Sequence, residues 1–275
     1  AYSVGSSDQF NILQKIEGQN MADLAWGTAS AKTITLSFQV YSSLTGTFSG
    51  SIANSALNRC YVFNYTVSSA NTWTQCSVTI AGDTSGTWLT TNGIGAFVIF
   101  GLGSGSTYSG AAGAWGSTYY TQSTGSVSVV GTNGATFYIT GVQLEVGSAA
   151  SSFEVRDYGR ELLMCQRYYW KFDGYNGLSG VAAGSVYGAT TTSRVYLKYP
   201  TTMYAVPTIS IAGSLVSSGG ATDSTVSSLS ATNVDLDTAL LDFTTSAATV
   251  GHGKVIYVTN NASYNVNYIQ GAAEL

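Results

Sequence analysis

The sequence predicts an all-β fold, in which an antiparallel jelly-roll sandwich is followed by a short helical connector and a second, smaller β-sandwich domain. Three observations support this fold. Short runs of alternating apolar and polar residues recur along the 275 residues, and clusters of Gly, Ser, Thr and Asn separate them. The chain has only two prolines, so the strands run uninterrupted. Short strands divided by regular turn clusters are typical of antiparallel sandwiches.

The amino-terminal half contains the clearest strands. Residues 32–40 alternate strictly, which predicts a half-buried strand. Its apolar side carries Ile34, Leu36, Phe38 and Val40, and its polar side carries Thr33, Thr35, Ser37 and Gln39. Residues 61–67 and 76–80 repeat the alternation. Residues 94–102 are more continuously apolar, which indicates a central strand.

Two hairpins and one bulge are predicted in the same half. The GTNG turn at residues 131–134 separates two strand-like runs, residues 126–130 and 135–146. In the second run the apolar residues stand at odd-numbered positions before Gly141 and at even-numbered positions after it. A bulge at Gly141 restores a single apolar face.

If SSAN, residues 68–71, is the turn of the second hairpin, Cys60 lies opposite Thr79 and Cys76 lies on the other face. Three cysteines leave at least one unpaired, so we expect free thiols.

One helix is predicted, from Tyr158 to about Lys171. Asp157 is placed to cap its amino terminus. Its apolar stripe consists of Tyr158, Leu162, Cys165 and Tyr169. The helix is too short to hold an isolated coiled coil together. Two arrangements remain open: the helix packs at a symmetry axis, or it plugs the bottom of its own sandwich.

Strand patterns resume after the connector, at residues 194–199, 208–212, 233–236, 254–259 and 264–269. They predict a smaller β domain, and the absence of a fixed repeat disfavours a β-helix. The predicted domains are residues 1–153, a charged connector at 154–173, and residues 174–275.

Composition excludes several classes of protein. Charged residues make up 9% of the chain, aromatic residues 12%, and the net charge is −4. Because the ten Lys and Arg form no basic stripe, we expect no nucleic-acid partner. The sequence has no long apolar run and no recognisable signal peptide, so we expect no membrane insertion.

The connector carries the most specific motifs. Eight of the 24 formally charged residues lie between Glu154 and Asp173. The motifs are GVQLEVG at 141–147, Phe153-Glu154, Glu161-Leu162 and CQRYY at 165–169; upstream stand KIEG at 15–18, TLSF at 35–38, SSLTG at 42–46 and AGDTSGTW at 81–88. Together they resemble bacteriophage tail-fibre and receptor-binding proteins over about the first two thirds of the chain. Gln39 and Ser152 depart from that pattern, where a second aromatic residue and a proline are common.

The resemblance implies a phage virion fibre protein that binds a host-cell surface glycan or receptor, with a carbohydrate-binding-module-like jelly roll. It implies a homotrimer assembled in the host cytoplasm, with other virion tail or head proteins and a host-surface polysaccharide as partners. Within the connector, the residues expected to serve assembly are Arg156, Arg160, Glu161 and Arg167. The alternatives are a structural head fibre or tail decoration protein, and a polysaccharide depolymerase. A bacterial adhesin is more distant.

Two Gly- and Ser-rich segments carry the candidate receptor-binding residues. Residues 101–125 contain Tyr108, Trp115, Tyr119 and Tyr120, and residues 174–188 contain Tyr175, Asn176 and Tyr187. Aromatic rings offer flat apolar faces to sugar rings, and nearby hydroxyls and amides satisfy sugar hydroxyls. The alternative is that these rings pack within the fold or against another subunit.

Catalysis has little support in the sequence. The one histidine, His252, lies in a GHG turn and leaves no basis for a histidine-rich metal site. Asp235 and Asp237 are the best carboxylate pair, with Asp242 nearby, but the solvent face of an ordinary strand is the favoured interpretation of the pair. We therefore expect no enzyme activity, no catalytic residue, no cofactor and no metal.

Overall fold

The computed structural model describes residues 1–173, 177–186, 191–213, 215–218, 224–245, 253–260 and 268–274. The chain divides into two compact units, Ala1–Val155 and Arg156–Leu275. Both consist mainly of antiparallel strands with little helix, which confirms the predicted all-β fold with a short helical element. The exception is a short parallel pair, Ser109–Gly110 with Gln122–Ser123, in the first unit. Within the described residues, no helix has both the length and the apolar character needed to cross a membrane.

The first unit is a sandwich of two sheets. Its strands are β1 (Gln9–Glu17), β2 (Ile34–Ser42), β3 (Gly46–Asn54), β4 (Cys60–Val67), β5 (Thr74–Ile80), β6 (Ile94–Ser104), β7 (Ser109–Gly110), β8 (Trp115–Gly116), β9 (Gln122–Ser123) and β10 (Phe137–Val146). One sheet has the order β1-β6-β3-β4-β8 and the other β10-β2-β5. The chain crosses between the sheets repeatedly, as in the predicted jelly roll.

The core lies between these sheets, and the predicted parity determines which side chains enter it. The four apolar residues of residues 32–40 all lie on β2 and are fully buried. The Phe38 ring meets the rings of Tyr65 and Phe100 edge-on, each with centroids 5.0 Å apart. β6 lies between β1 and β3, so the continuously apolar run is an interior strand of its sheet as predicted.

The predicted bulge is confirmed. The pairing of β10 with β2 slips between Thr140 and Gln143, and Gly141 has a φ of 59°. A residue with positive φ in one strand of a pair is the geometry of a bulge, and glycine adopts it without steric strain. The slip leaves Ile139 and Leu144 both packed against the core.

Both predicted hairpins are wrong. β4 and β5 lie in different sheets, because β4 pairs with β3 and β5 pairs with β2. Residues 126–130 form no strand; instead the amides of Val127 and Val129 donate to the carbonyls of Thr47 and Leu102. Alternation shows that a run is extended, but tertiary burial selects the neighbour with which it pairs.

In the residues that the structure describes, the second unit contains the helix α1 (Tyr158–Gln166) and nine strands. These are β11 (Tyr169–Asp173), β12 (Gly177–Val186), β13 (Thr192–Lys198), β14 (Thr208–Ala212), β15 (Leu215–Ser218), β16 (Ser224–Thr232), β17 (Thr238–Thr245), β18 (Gly253–Asn260) and β19 (Tyr268–Ala272). Six strands close into a barrel, β12-β13-β17-β16-β15-β18, and three form the sheet β11-β19-β14. The closed barrel refines the predicted smaller sandwich.

The helix is shorter than predicted. Asp157 caps it as expected, with Oδ1 accepting from the amides of Gly159 and Arg160 at 2.9 and 3.2 Å. It ends at Gln166, however, and Tyr169–Asp173 form β11 on β19. Trp170 explains the change, because its ring is 2% exposed and stacks on Tyr199, a burial that the strand provides.

We expect one of the three thiols to react rapidly in the folded protein. Cys60 and Cys76 are buried, whereas Cys165 is exposed, and all three are free. Burial raises the pKa of the Cys60 thiol, and it raises that of Cys76 to about 11. The thiolate is the reactive form of cysteine. An aromatic disulfide reagent should therefore release one equivalent of its coloured thiolate per folded chain quickly, and three equivalents after denaturation. Cys165→Ser should abolish the fast phase; a fast phase that survives this change would contradict the assignment.

Candidate functional site

Trp115 lies inside a group of three indoles, here called the tryptophan cluster: Trp26, Trp88 and Trp115. The Trp115 ring centroid is 5.2 Å from that of Trp26 and 5.5 Å from that of Trp88. Its Nε1–H donates to the carbonyl oxygen of Ala81 at 2.7 Å. The indole is half-buried and its polar atom is occupied. This arrangement corresponds to the packing alternative for Trp115.

Trp115→Ala is therefore expected to lower the free energy of unfolding by about 2 kcal/mol, since it removes ring contacts and one hydrogen bond from a half-buried site. Urea unfolding monitored by circular dichroism measures this change. Trp115→Phe should recover part of the loss. A fully stable Trp115→Ala variant would show that the ring is not structural.

The three predicted tyrosines of this segment are also half-buried. The rings of Tyr108 and Tyr119 meet edge-on with centroids 6.1 Å apart. Tyr119 and Tyr120 pack against a small buried cluster of Ala53, Cys60 and Val62. Burial raises the pKa of the Tyr119 hydroxyl. These rings hold the segment against the sheet and leave only part of their surface to solvent.

The same segment borders an open hollow of about 350 Å³ on the side of β3 and β4. Its lining contains no aromatic and no charged residue: Thr47, Asn64, Gly110, Ala111, Ala112, Ser123, Thr124, Gly125 and Ser126. Hydroxyl and amide groups there can exchange hydrogen bonds with a polar molecule. The hollow offers no ring on which a sugar could stack.

The other predicted binding residues, Tyr175, Asn176 and Tyr187, lie outside the described residues, as does His252.

The four connector residues that are expected to serve assembly lie within the described part of the chain. The guanidinium of Arg156 is 3.5 Å from the carboxylate of Glu161, and both side chains are about half exposed. Arg160 is exposed on α1. Arg167 lies 5.9 Å from the centroid of the Tyr204 ring.

The three aspartates considered for catalysis are engaged in structural contacts. The predicted strand at residues 233–236 is wrong, because these residues form a turn in which Asp235 Oδ1 accepts from the amides of Asp237 and Thr238. Those hydrogen bonds lower the pKa of Asp235, the opposite of the shift that a general acid requires.

The remaining two carboxylates have their own partners. Asp237 accepts from the Thr202 hydroxyl, and Asp242 forms a bidentate pair with Arg194 at 2.6 Å. Across the described part of the chain, no three His, Cys, Asp or Glu side chains converge as a metal site would require.

Sequence reasoning missed an aromatic group on the other side of the sandwich. Tyr41 on β2, Tyr138 on β10 and Trp73 just before β5 lie side by side on the outer face of the three-stranded sheet. The Tyr41 centroid is 5.7 Å from both the Trp73 and the Tyr138 centroids. Trp73 is 50% exposed and Tyr138 55%. We call these three residues the aromatic face.

The Trp73 indole N–H of the aromatic face is available to a ligand, unlike the N–H groups of the tryptophan cluster. The indole N–H groups of Trp26, Trp88 and Trp115 all donate to protein acceptors. No protein acceptor within hydrogen-bonding distance faces the Trp73 N–H among the described residues. The next row of the sheet is Thr140, Gln39 and Gln75, which are paired in register and exposed. Rings and uncharged polar groups thus lie on one rigid surface.

A signal for this face was present in the sequence. Continuing the polar parity of residues 33–39 by one step reaches Tyr41, an aromatic residue on the solvent side of β2. That Tyr138 and Trp73 lie beside it depends on strand pairing, which the alternation does not reveal.

The chain matches no protein-family model and no curated protein sequence.

Proposed function

We propose that this chain is a phage virion fibre protein that attaches the particle to a host-surface glycan and performs no reaction on it. The observation that carries the proposal is the aromatic face, where the exposed rings of Trp73 and Tyr138 flank the half-buried ring of Tyr41 and the Trp73 N–H has no acceptor in the described chain. A sugar presents apolar C–H faces and hydroxyls, which match rings and uncharged polar groups.

The virion part of the proposal is supported by the motifs at residues 141–147 and 161–169, which resemble phage fibre connectors. The proposed assembly is a homotrimer joined to other tail or head proteins. In support of contacts between subunits, no residue of α1 is buried, and Leu162 and Leu163 are 40% and 51% exposed. Three linked copies would turn weak glycan contacts into firm attachment through avidity.

A structural fibre or decoration protein is the second candidate. It is favoured by the packing of Trp115 and of the three tyrosines at residues 108–120, which leaves the predicted binding segment largely occupied by its own contacts. Under this alternative the aromatic face would be a contact surface for another virion protein, and isolated glycans would not bind.

The proposal predicts that Trp73→Ala and Tyr138→Ala each weaken glycan and host-cell binding at least about tenfold, a loss of about 1.4 kcal/mol. Binding of the purified protein to a glycan array and to intact host-range cells measures this, with native mass determined by light scattering. Tyr196→Ala is the matched control, because Tyr196 is 58% exposed but lies on β13 of the second unit.

Saturable binding that the first two changes weaken and the control leaves intact supports attachment through the aromatic face. A folded trimer that binds neither glycans nor cells would favour the structural alternative. A monomer would contradict the proposed assembly.

A further inference from the structure

The outer face of the β10-β2-β5 sheet has two halves. One half is covered by the segment that follows β10, residues 147–154. The Thr35 hydroxyl donates to the Gly147 carbonyl at 2.8 Å, and the Thr79 hydroxyl donates to the Ser148 carbonyl at 3.2 Å. The Glu154 amide donates to the Gln143 side chain at 2.8 Å. Hydroxyl and amide side chains of the sheet thus hold a polar chain along this half.

The other half is built from the same types of residue but is open. Thr140, Gln39 and Gln75 form one row across the three strands, and the aromatic face forms the row beyond it. No hydrogen bond joins the Thr140 hydroxyl or the Gln39 amide to any group in the described part of the chain. These groups are accessible, and the paired strands fix their backbones in position, so a ligand would have to order only the side-chain rotamers.

The face is also selective by charge. Among the side chains that point outward from the three strands, none is cationic, and the one carboxylate, Glu145, is held by the Ser151 hydroxyl at 2.7 Å and the Ser151 amide at 2.8 Å. An acidic sugar would therefore find no counter-charge on the open half. An uncharged sugar needs no cation for binding, because its hydroxyls form hydrogen bonds with amides and hydroxyls.

We infer that the open half of this face binds an uncharged saccharide chain running along the strands, from the aromatic face to the covering segment, residues 147–154. This inference rests on the proposed glycan attachment and specifies the chemical class and position of the ligand. The open half lies between the row of Tyr41 and the buried row of Ser37, and these rows are about 13 Å apart at about 3.3 Å per residue, enough for a short oligosaccharide. The rings stack on the sugar, while Gln39, Gln75 and Thr140 exchange hydrogen bonds with its hydroxyls.

The test uses the full chain and a panel of neutral glucose, galactose, mannose and N-acetylglucosamine oligomers beside acidic oligomers that contain uronic or sialic acids. Titration calorimetry follows binding in low and high sodium chloride. We expect neutral members to bind, with affinity nearly independent of salt because no ion pair contributes. Gln39→Ala and Thr140→Val should each weaken binding about threefold to tenfold.

Thr66→Val is the matched control, because Thr66 is an exposed threonine on β4 in the other sheet. Its variant should bind as the unchanged protein does. Neutral binding that Gln39→Ala and Thr140→Val leave unaltered would overturn the inference, as would binding confined to acidic oligomers.

The panel also separates the inference from the proposed function. Protein that binds host cells but no neutral oligomer would refute the inference and leave attachment standing. Protein that binds neither would refute both.

Discussion

Replacing Asp83 with alanine is expected to lower the free energy of unfolding of the first unit by about 3–5 kcal/mol, the largest effect of any single change considered. The Asp83 carboxylate is 2% exposed and forms a bidentate pair with Arg59 at 2.7 and 2.6 Å. It also accepts from the Trp88 indole at 3.2 Å and from the Ser85 amide at 3.1 Å. Its removal leaves a partly buried guanidinium without its carboxylate and leaves the Trp88 indole N–H with only the Ser85 carbonyl, at 3.3 Å, as an acceptor.

Urea unfolding monitored by tryptophan fluorescence is the measurement, since four of the five tryptophans lie in the first unit. Asp23→Ala is the matched control, because Asp23 is exposed and should change stability by less than about 0.5 kcal/mol. Arg59→Ala in the Asp83→Ala background should cost little more, since the pair has already been broken. A loss below about 1 kcal/mol for Asp83→Ala would show that the network is not a main support of the fold.

Gly50→Ala should destabilise the first unit by about 3 kcal/mol or more. Gly50 lies on β3, between β4 and β6, and a Cβ there would be 2.1 Å from the Ile99 carbonyl oxygen and 2.6 Å from the Phe63 ring. The first obstacle is backbone of a paired strand, so it cannot move aside without breaking the ladder. Overpacking of this kind forces the strands apart.

Gly116→Ala is the control for this change. Gly116 also lies in a strand, β8, but the position of its Cβ is open to solvent. We expect its stability to change by less than about 0.5 kcal/mol under the same urea unfolding. Similar effects at both positions would mean that the loss at Gly50 reflects glycine's backbone freedom and not the crowding between strands.

The Asp83 network also clarifies what the AGDTSGTW motif does in this protein. The Ala81 carbonyl accepts a hydrogen bond from the Trp115 indole N–H, and the Asp83 carboxylate pairs with the Arg59 guanidinium. The Trp88 ring packs edge-on against that of Trp26, with centroids 4.7 Å apart. The motif that carries part of the phage-fibre resemblance thus builds the interior of the sandwich. The proposed binding residues belong to a different surface, the aromatic face. Variants of the motif should therefore change the stability of the fold, and variants of the aromatic face should change glycan binding.

Local features of the chain could be predicted because they depend on near neighbours. Alternation along β2 identified the inward residues Ile34 to Val40, since successive side chains of a strand point to opposite faces. Gly141 marked the bulge through a change of parity, and Asp157 marked the start of α1 because a carboxylate can accept from first-turn amides. Each of these predictions uses residues within a few positions of one another.

The tertiary structure alone decided everything that depends on distant residues. β4 and β5 look like a hairpin but join different sheets, because burying both of their apolar faces requires separate partners. The residues after Gln166 leave the helical pattern because Trp170 is buried by strand pairing. The roles of Trp115 and Trp73 were decided in the same way: both are tryptophans near turns, but only folding supplies a carbonyl to one indole and solvent to the other.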